Sequence, residues 1–259
     1  MSSLRELLQP GRKKILSIFI TAGYPQLDST NKLILALQDA GADLVEVGIP
    51  YSDPLADGPV IQNTSSVALA NGMSIAILFE QLQRIGRQVR IPLVLMGYLN
   101  PILQYGVEKF CLHASRVGIS GLIIPDLPLE EYQASYQRTF QRYSLPFISL
   151  VCPSTSDERM RLIDKLSDGF IYAVSTSSTT GKEAVFGSPQ AEYLKHLKNL
   201  NLSNPILVGF GIHNAETFEF ATSFCDGAII GSAFLKSIAS CVDFEDVTSQ
   251  FIRKVRVSS

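Results

Sequence analysis

The sequence predicts a (β/α)₈ barrel, and three observations carry that expectation. Short apolar runs rich in β-branched residues recur eight times along the chain. Segments with helical spacing alternate with them. The 259 residues contain no Pro- or Gly-rich linker, charge block or low-complexity stretch. That length suits one barrel or two small domains, and the eightfold alternation favours a single barrel domain over 1–259.

Strands are expected at 15–21, 44–49, 92–96, 121–125, 147–151, 170–174, 206–208 and 227–230. Their apolar residues run continuously rather than alternating, which suits strands covered on both faces of a parallel sheet. Helical segments fill the intervals. Asp28-Ser29-Thr30 offers caps before 32–40, where Leu33, Leu37 and Ala40 share one face. The stretch 74–87 carries Ile77, Leu78, Leu82 and Ile85 at helical spacing. Acidic residues open the segments 132–143, 159–166 and 217–223, where they meet the positive end of a helix dipole.

Composition excludes several classes of function. A formal net charge of -2 with 18% charged residues provides no basic footprint for nucleic acid or an anionic membrane. The longest apolar stretches, 91–96 and 121–125, are strand-sized and too short to span a bilayer. Glu6 stands early in an N-terminus without a long apolar core, so no signal peptide is expected. Cys111, Cys152, Cys225 and Cys241 are widely spaced, which argues against zinc or a disulfide framework. A cytoplasmic protein with reduced thiols and no metal is expected.

In such barrels the chemistry sits in loops that follow strand C-termini, here 50–63, 175–188, 209–213 and 231–234. The last two contain Gly209-Phe210-Gly211-Ile212 and Gly231-Ser232-Ala233. Glycine lets backbone N–H groups approach an anion, and the Ser232 hydroxyl adds a donor. Tight turns also need glycine, so each loop alone says little. Together they occupy the slots where barrels often bind phosphate, with Gly181 as a third contributor.

Glu46 lies in the run Leu44-Val45-Glu46-Val47-Gly48, where Leu44, Glu46 and Gly48 share one side of the strand. A carboxylate among apolar neighbours has a partner or a task, because burying it unpaired is costly. It either belongs to a buried ion pair or faces the barrel mouth as a proton carrier. Burial raises a carboxyl pKa toward the range needed for both giving and taking protons. The loop that follows has three prolines, two aspartates and a glycine within 50–59, a stiff segment able to hold Asp57 over the mouth. Asp53 and Asp57 are alternatively turn caps.

The run Val47-Gly48-Ile49-Pro50-Tyr51-Ser52-Asp53-Pro54-Leu55-Ala56-Asp57-Gly58-Pro59-Val60-Ile61-Gln62 closely resembles the signature of tryptophan synthase alpha subunits. The resemblance extends over nearly the whole chain. It includes Phe19-Ile20-Thr21-Ala22-Gly23-Tyr24-Pro25, Leu95-Met96-Gly97-Tyr98-Leu99-Asn100-Pro101 and Ile124-Pro125-Asp126-Leu127-Pro128. It implies a retro-aldol cleavage of indole-3-glycerol phosphate to indole and glyceraldehyde 3-phosphate. Glu46 then matches the general acid/base, Asp57 the acceptor of the indole N–H, and Tyr172 a tyrosine beside the glutamate. Gly181, Gly211, Gly231 and Ser232 match phosphate ligands. Phe19, Ile61, Met96, Ile123, Phe210 and Ile230 match the indole pocket, although on physical grounds they suit ordinary barrel core equally. The resemblance implies no metal or organic cofactor in this chain. It implies a beta-subunit partner in an α2β2 tetramer that carries pyridoxal phosphate and is met by loops containing Asp53, Asn100 and Pro101.

One segment departs from the family pattern. Relatives follow the sixth strand with Ser-Arg-x-Gly-Val-Thr-Gly, a lid over the substrate. Here it reads Ser175-Thr176-Ser177-Ser178-Thr179-Thr180-Gly181, with Thr176 replacing the arginine and Ser178 the inner glycine. A competing expectation follows: a weakly active chain that mainly activates its partner. Another phosphate-binding barrel enzyme is disfavoured, since a Schiff-base aldolase needs a lysine inside a strand and no expected strand has one. Lid closure excludes water and strengthens interactions with developing charge. Thr176→Arg with Ser178→Gly is therefore expected to raise lyase turnover more than it changes beta-subunit activation. Steady-state comparison of both activities checks this, and a double mutant with unchanged lyase turnover contradicts it.

Overall fold

A computed structural model describes residues 4–174, 188–209, 211–241 and 243–256. Its strands are β1 (Ile15–Thr21), β2 (Leu44–Gly48), β3 (Leu93–Met96), β4 (Gly121–Ile123), β5 (Phe147–Ile148), β6 (Leu150–Val151), β7 (Ile171–Val174), β8 (Ile206–Gly209) and β9 (Gly227–Ile230). All pair in parallel, in the order β5-β4-β3-β2-β1-β9-β8-β7-β6. The expected single strand 147–151 is thus two short strands at opposite edges of the sheet. Ser149 stands between them, and its carbonyl accepts from Tyr172 N–H at 3.0 Å. One run of chain therefore faces both edges, and the sheet curls into the expected nearly closed barrel.

Alternation along each strand creates two cores. Ile15, Leu44, Val94, Ile123, Ile148, Phe170, Tyr172, Leu207 and Ile229 fill the interior, with Leu4 and Leu7 of the N-terminal helix Leu4–Leu7 packed among them. The other face presents Leu16, Ile18, Ile20, Val45, Val47, Leu93, Leu95 and Val208 to the surrounding helices. Both faces being apolar explains the unbroken hydrophobic runs. Burying each such side chain stabilises the fold by roughly 1.5–3 kcal/mol.

Four expected helices form at Ser29–Ala40, Ile75–Ile85, Asp157–Leu166 and Ala215–Phe224. Ser74, Ser156 and Asn214 cap three of them by accepting from the N–H of Ile77, Arg159 and Thr217. Asp28 does not cap its helix; its carboxylate binds Lys32 Nζ at 2.7 Å instead. The fifth segment is a π-helical stretch, Tyr132–Tyr136, running into the helix Gln137–Arg142. Two expected loops are shorter than anticipated. Helix Pro59–Ala70 begins inside 50–63, because proline lacks only an N–H that the first turn leaves unbonded anyway. Helix Ser232–Ser237 likewise replaces most of 231–234.

Helices Leu99–Tyr105, Val107–Arg116, Ser188–Asn199 and Phe244–Val255 were not anticipated. The last packs against Ser29–Ala40, outside β1 and β2. No helix among the described residues is long and apolar enough to cross a membrane.

Candidate active site

Glu46 projects into the barrel. In the parallel register it stands beside Phe19 of β1 and Val94 of β3, two further inward positions. Its side chain is fully buried. Oε1 accepts a hydrogen bond from Ser17 Oγ at 2.8 Å, while Oε2 has no hydrogen-bond partner among the described residues. No ion pair among the described residues includes Glu46, so the alternative of a buried ion pair does not hold for them. Burial raises its pKa from 4.5 to about 7, with the Ser17 hydroxyl opposing the shift.

Tyr172 enters the interior from β7 and is buried. Burial, then the charges of Glu46 and Asp57, push its phenol well above the ordinary value, so it stays neutral. Gly209 makes room for the ring: a Cβ there would overlap the Tyr172 side chain. Gly48 does the same for the Phe19 ring.

Asp57 ends the loop after β2, half-buried just before helix Pro59–Ala70. Burial raises its carboxyl pKa, and a hydrogen bond with the Tyr98 hydroxyl opposes this. That hydroxyl also accepts from Ala56 N–H at 2.9 Å, while Gln62 Nε2 donates to the Asp57 carbonyl at 2.8 Å. Asp57 is thus tethered at its side chain, its carbonyl and the preceding residue.

Phe19, Ile61 and Met96 line one small cavity with Asp57, Gly48, Ile49 and Tyr98. Ile123 lies beside Met96 in the register, fully buried in the interior. Ile230 does not join them. It pairs with Ile18, an outward position, and packs in the outer core. Ile229, one residue earlier, is the inward side chain, because alternation reverses direction with each step. Phe210 falls outside the described residues, as do Gly181 and the lid positions Thr176, Ser178 and Thr180.

Gly211 and Gly231 follow the adjacent strands β8 and β9. Gly211 has φ 78°, a left-handed conformation suited to glycine. A Cβ on Gly231 would make ordinary contact with the Phe19 side chain, at 3.5 Å. Ser232 is exposed at the start of its helix. On the rim, Asp53 is exposed and bonded to Ser52. Asn100 and Pro101 lie in the first turn of helix Leu99–Tyr105 rather than in a loop, because the Asp126 carboxylate accepts Leu99 N–H at 2.9 Å and holds that turn. Asn100 Nδ2 donates to the Tyr51 hydroxyl at 3.2 Å, and the Tyr51 ring lies 5.4 Å from that of Tyr98. Among the described residues, no cluster of three His, Cys, Asp or Glu is placed to hold a metal.

Sequence reasoning missed Ser17, Tyr98 and Ile229. Ser17 had a signal, a hydroxyl at an inward position of an apolar strand. The raised Glu46 pKa has a stability consequence. The folded state binds the proton more tightly than the unfolded one, so Glu46 lowers stability as pH climbs from about 4.5 to about 7. The penalty above that window is about 3 kcal/mol. Glu46→Gln is expected to remove it, making the mutant more stable at pH 8 with a gain that vanishes toward pH 4. Urea unfolding at both pH values measures this, and a pH-independent difference contradicts it.

The family model described as Tryptophan synthase alpha chain matches residues 4–257. The tryptophan synthase alpha chain of Flavobacterium johnsoniae is 54% identical over 239 residues, covering 92% of this chain and 94% of that one. The crystal structure of the tryptophan synthase alpha chain from Legionella pneumophila superposes with TM-score 0.86 at 35% identity, covering 98% and 94%. A chain of the tryptophan synthase α2β2 complex from the hyperthermophile Pyrococcus furiosus does so with TM-score 0.87 at 30% identity, covering 95% and 99%. The chain belongs to the tryptophan synthase alpha chain family.

Proposed function

We propose that the chain is a carbon–carbon lyase that cleaves indole-3-glycerol phosphate to indole and glyceraldehyde 3-phosphate in tryptophan biosynthesis. The observation that carries this is Glu46, a fully buried carboxyl with a pKa of about 7 and no counter-ion among the described residues. A group poised near neutrality both donates and accepts protons efficiently. Glu46 protonates indole C3, which leaves positive charge on the ring. Asp57 accepts the indole N–H and stabilises that charge. The bond from C3 to the glycerol chain then breaks, its electron pair returning to the ring. The neighbouring hydroxyl loses its proton to Glu46 and becomes the aldehyde carbonyl, which restores the glutamic acid. Tyr172 packs beside the carboxyl as a neutral phenol.

The phosphate is assigned to Gly211, Gly231 and Ser232, with Gly181 added by resemblance. Backbone N–H groups at the ends of β8 and β9 suit that task. Phe19, Ile61, Met96 and Ile123 form the indole pocket, with Ile229 in place of Ile230. The partner is a beta subunit in an α2β2 assembly, met through Asp53, Asn100 and Pro101. Pyridoxal phosphate belongs to that subunit, and this chain works without a cofactor, as a single domain in the cytoplasm. The buried glutamate and the tethered aspartate favour catalysis over a purely activating role.

Glu46→Gln keeps shape and removes proton transfer, so indole release is expected to fall by about two orders of magnitude or more. A folded mutant with near-wild-type turnover removes Glu46 from the mechanism. Gly231→Val adds bulk beside the backbone N–H groups assigned to the phosphate, so it is expected to weaken binding of glycerol 3-phosphate without changing the pH dependence of Glu46. Calorimetric titration with that probe measures the effect, and unchanged affinity places the anion elsewhere.

A further inference from the structure

We propose that Ser17 is a positioning residue for Glu46: its hydroxyl holds Oε1, so that Oε2 is the oxygen that exchanges protons with the substrate. The proposal rests on the reading of Glu46 as proton carrier and adds which residue orients it and which oxygen acts.

Ser17 is fully buried in β1, two residues before Phe19 on the same inward side. β1 and β2 pair in register, with Ser17 opposite Leu44 and Phe19 opposite Glu46. The side chain of Glu46 therefore reaches back by one inward step to meet the Ser17 hydroxyl, 2.8 Å from Oε1. Oε2 is equally buried and has no partner among the described residues. A buried polar atom without a partner is uncommon, and here it belongs to the group that must bind a proton. The two oxygens are consequently unequal. Oε1 is committed to a fixed donor, while Oε2 is the vacant acceptor.

The hydroxyl also governs when Glu46 ionises. A donor to a carboxylate favours the charged form, so Ser17 restrains the upward shift that burial imposes. Among the described residues, the titratable group that faces Glu46 is Tyr172 from β7, which also senses the charge of Asp57. The adjacent strands contribute Ser17, Phe19, Val94 and Met96, none of which titrates. Among the described residues, Ser17 is thus the donor opposing burial at this carboxyl.

The test is Ser17→Ala in the full chain, a change that removes one atom and adds no bulk. Infrared difference titration follows the protonated-carboxyl band of the buried acid, identified by its loss in Glu46→Gln. Losing a hydrogen bond to a charged group is expected to raise the titration midpoint by about one pH unit, a tenfold change in ionisation constant. The limb of the kcat–pH profile that belongs to Glu46 should move upward with it, with KM for indole-3-glycerol phosphate changed less than kcat. Ser17→Thr, which keeps the hydroxyl, should return both to the wild-type position. An unmoved midpoint in Ser17→Ala overturns the role of Ser17 alone. A midpoint that moves while the kcat limb stays in place overturns Glu46 as proton carrier, and this proposal with it.

Discussion

Taking a carboxylate out of water costs several kcal/mol unless a cation or several donors compensate. Glu46 has one donor, Ser17, and no cation in the described structure. The barrel must therefore be stable enough to carry that penalty. Two concentric apolar layers supply the reserve, one inside the strands and one beneath the helices. The interior layer does double duty: at one end it is packed core around Leu4 and Leu7, and near the other it desolvates Glu46. The chemistry at the mouth depends on the tightness of the packing below it.

Closure of the barrel sets the remaining geometry. Tyr172 belongs to β7, two strands past the seam at Ser149, yet its phenol senses the charges of Glu46 and Asp57 from the far side of β1. Only a sheet curled on itself brings β2 and β7 face to face, since three strands, β1, β9 and β8, separate them in the sheet order. Glycines permit the crowding this creates. Gly209 yields space to Tyr172 and Gly48 to Phe19, so large inward rings fit where a Cβ would overlap them. Small and large residues interlock across neighbouring strands, as dense packing in a narrow barrel requires.

The two acidic groups differ in how they are held. Glu46 sits on a strand whose backbone pairs on both sides. Asp57 sits on a loop and owes its position to Tyr98, which stands just after β3 and bonds at once to Ala56 and Asp57. Tyr98 in turn packs beside Tyr51, to which Asn100 donates. Asn100 thus lies one side chain away from the group that holds Asp57.

The strands were legible in the sequence because a buried parallel sheet requires continuous apolar runs, and the positions of all eight followed from that pattern. Glu46 stood out for the complementary reason, as a charge where the pattern demands none. Asp57 and the glycines assigned to phosphate were recognisable by motif. Other features lay beyond local sequence. Which of Ile229 and Ile230 faces inward depends on register with β1, a contact more than two hundred residues distant along the chain. Asn100 and Pro101 became helical because Asp126, from the next strand's loop, holds Leu99 N–H. The split of 147–151 at Ser149 reflects the meeting of two sheet edges. Ser17 and Tyr98 acquired their tasks only when folding brought each within reach of a carboxylate, Ser17 on a neighbouring strand and Tyr98 across a loop. Sequence alone determined what is buried, because hydrophobicity is local; tertiary structure decided what each buried group touches, because register and closure are not.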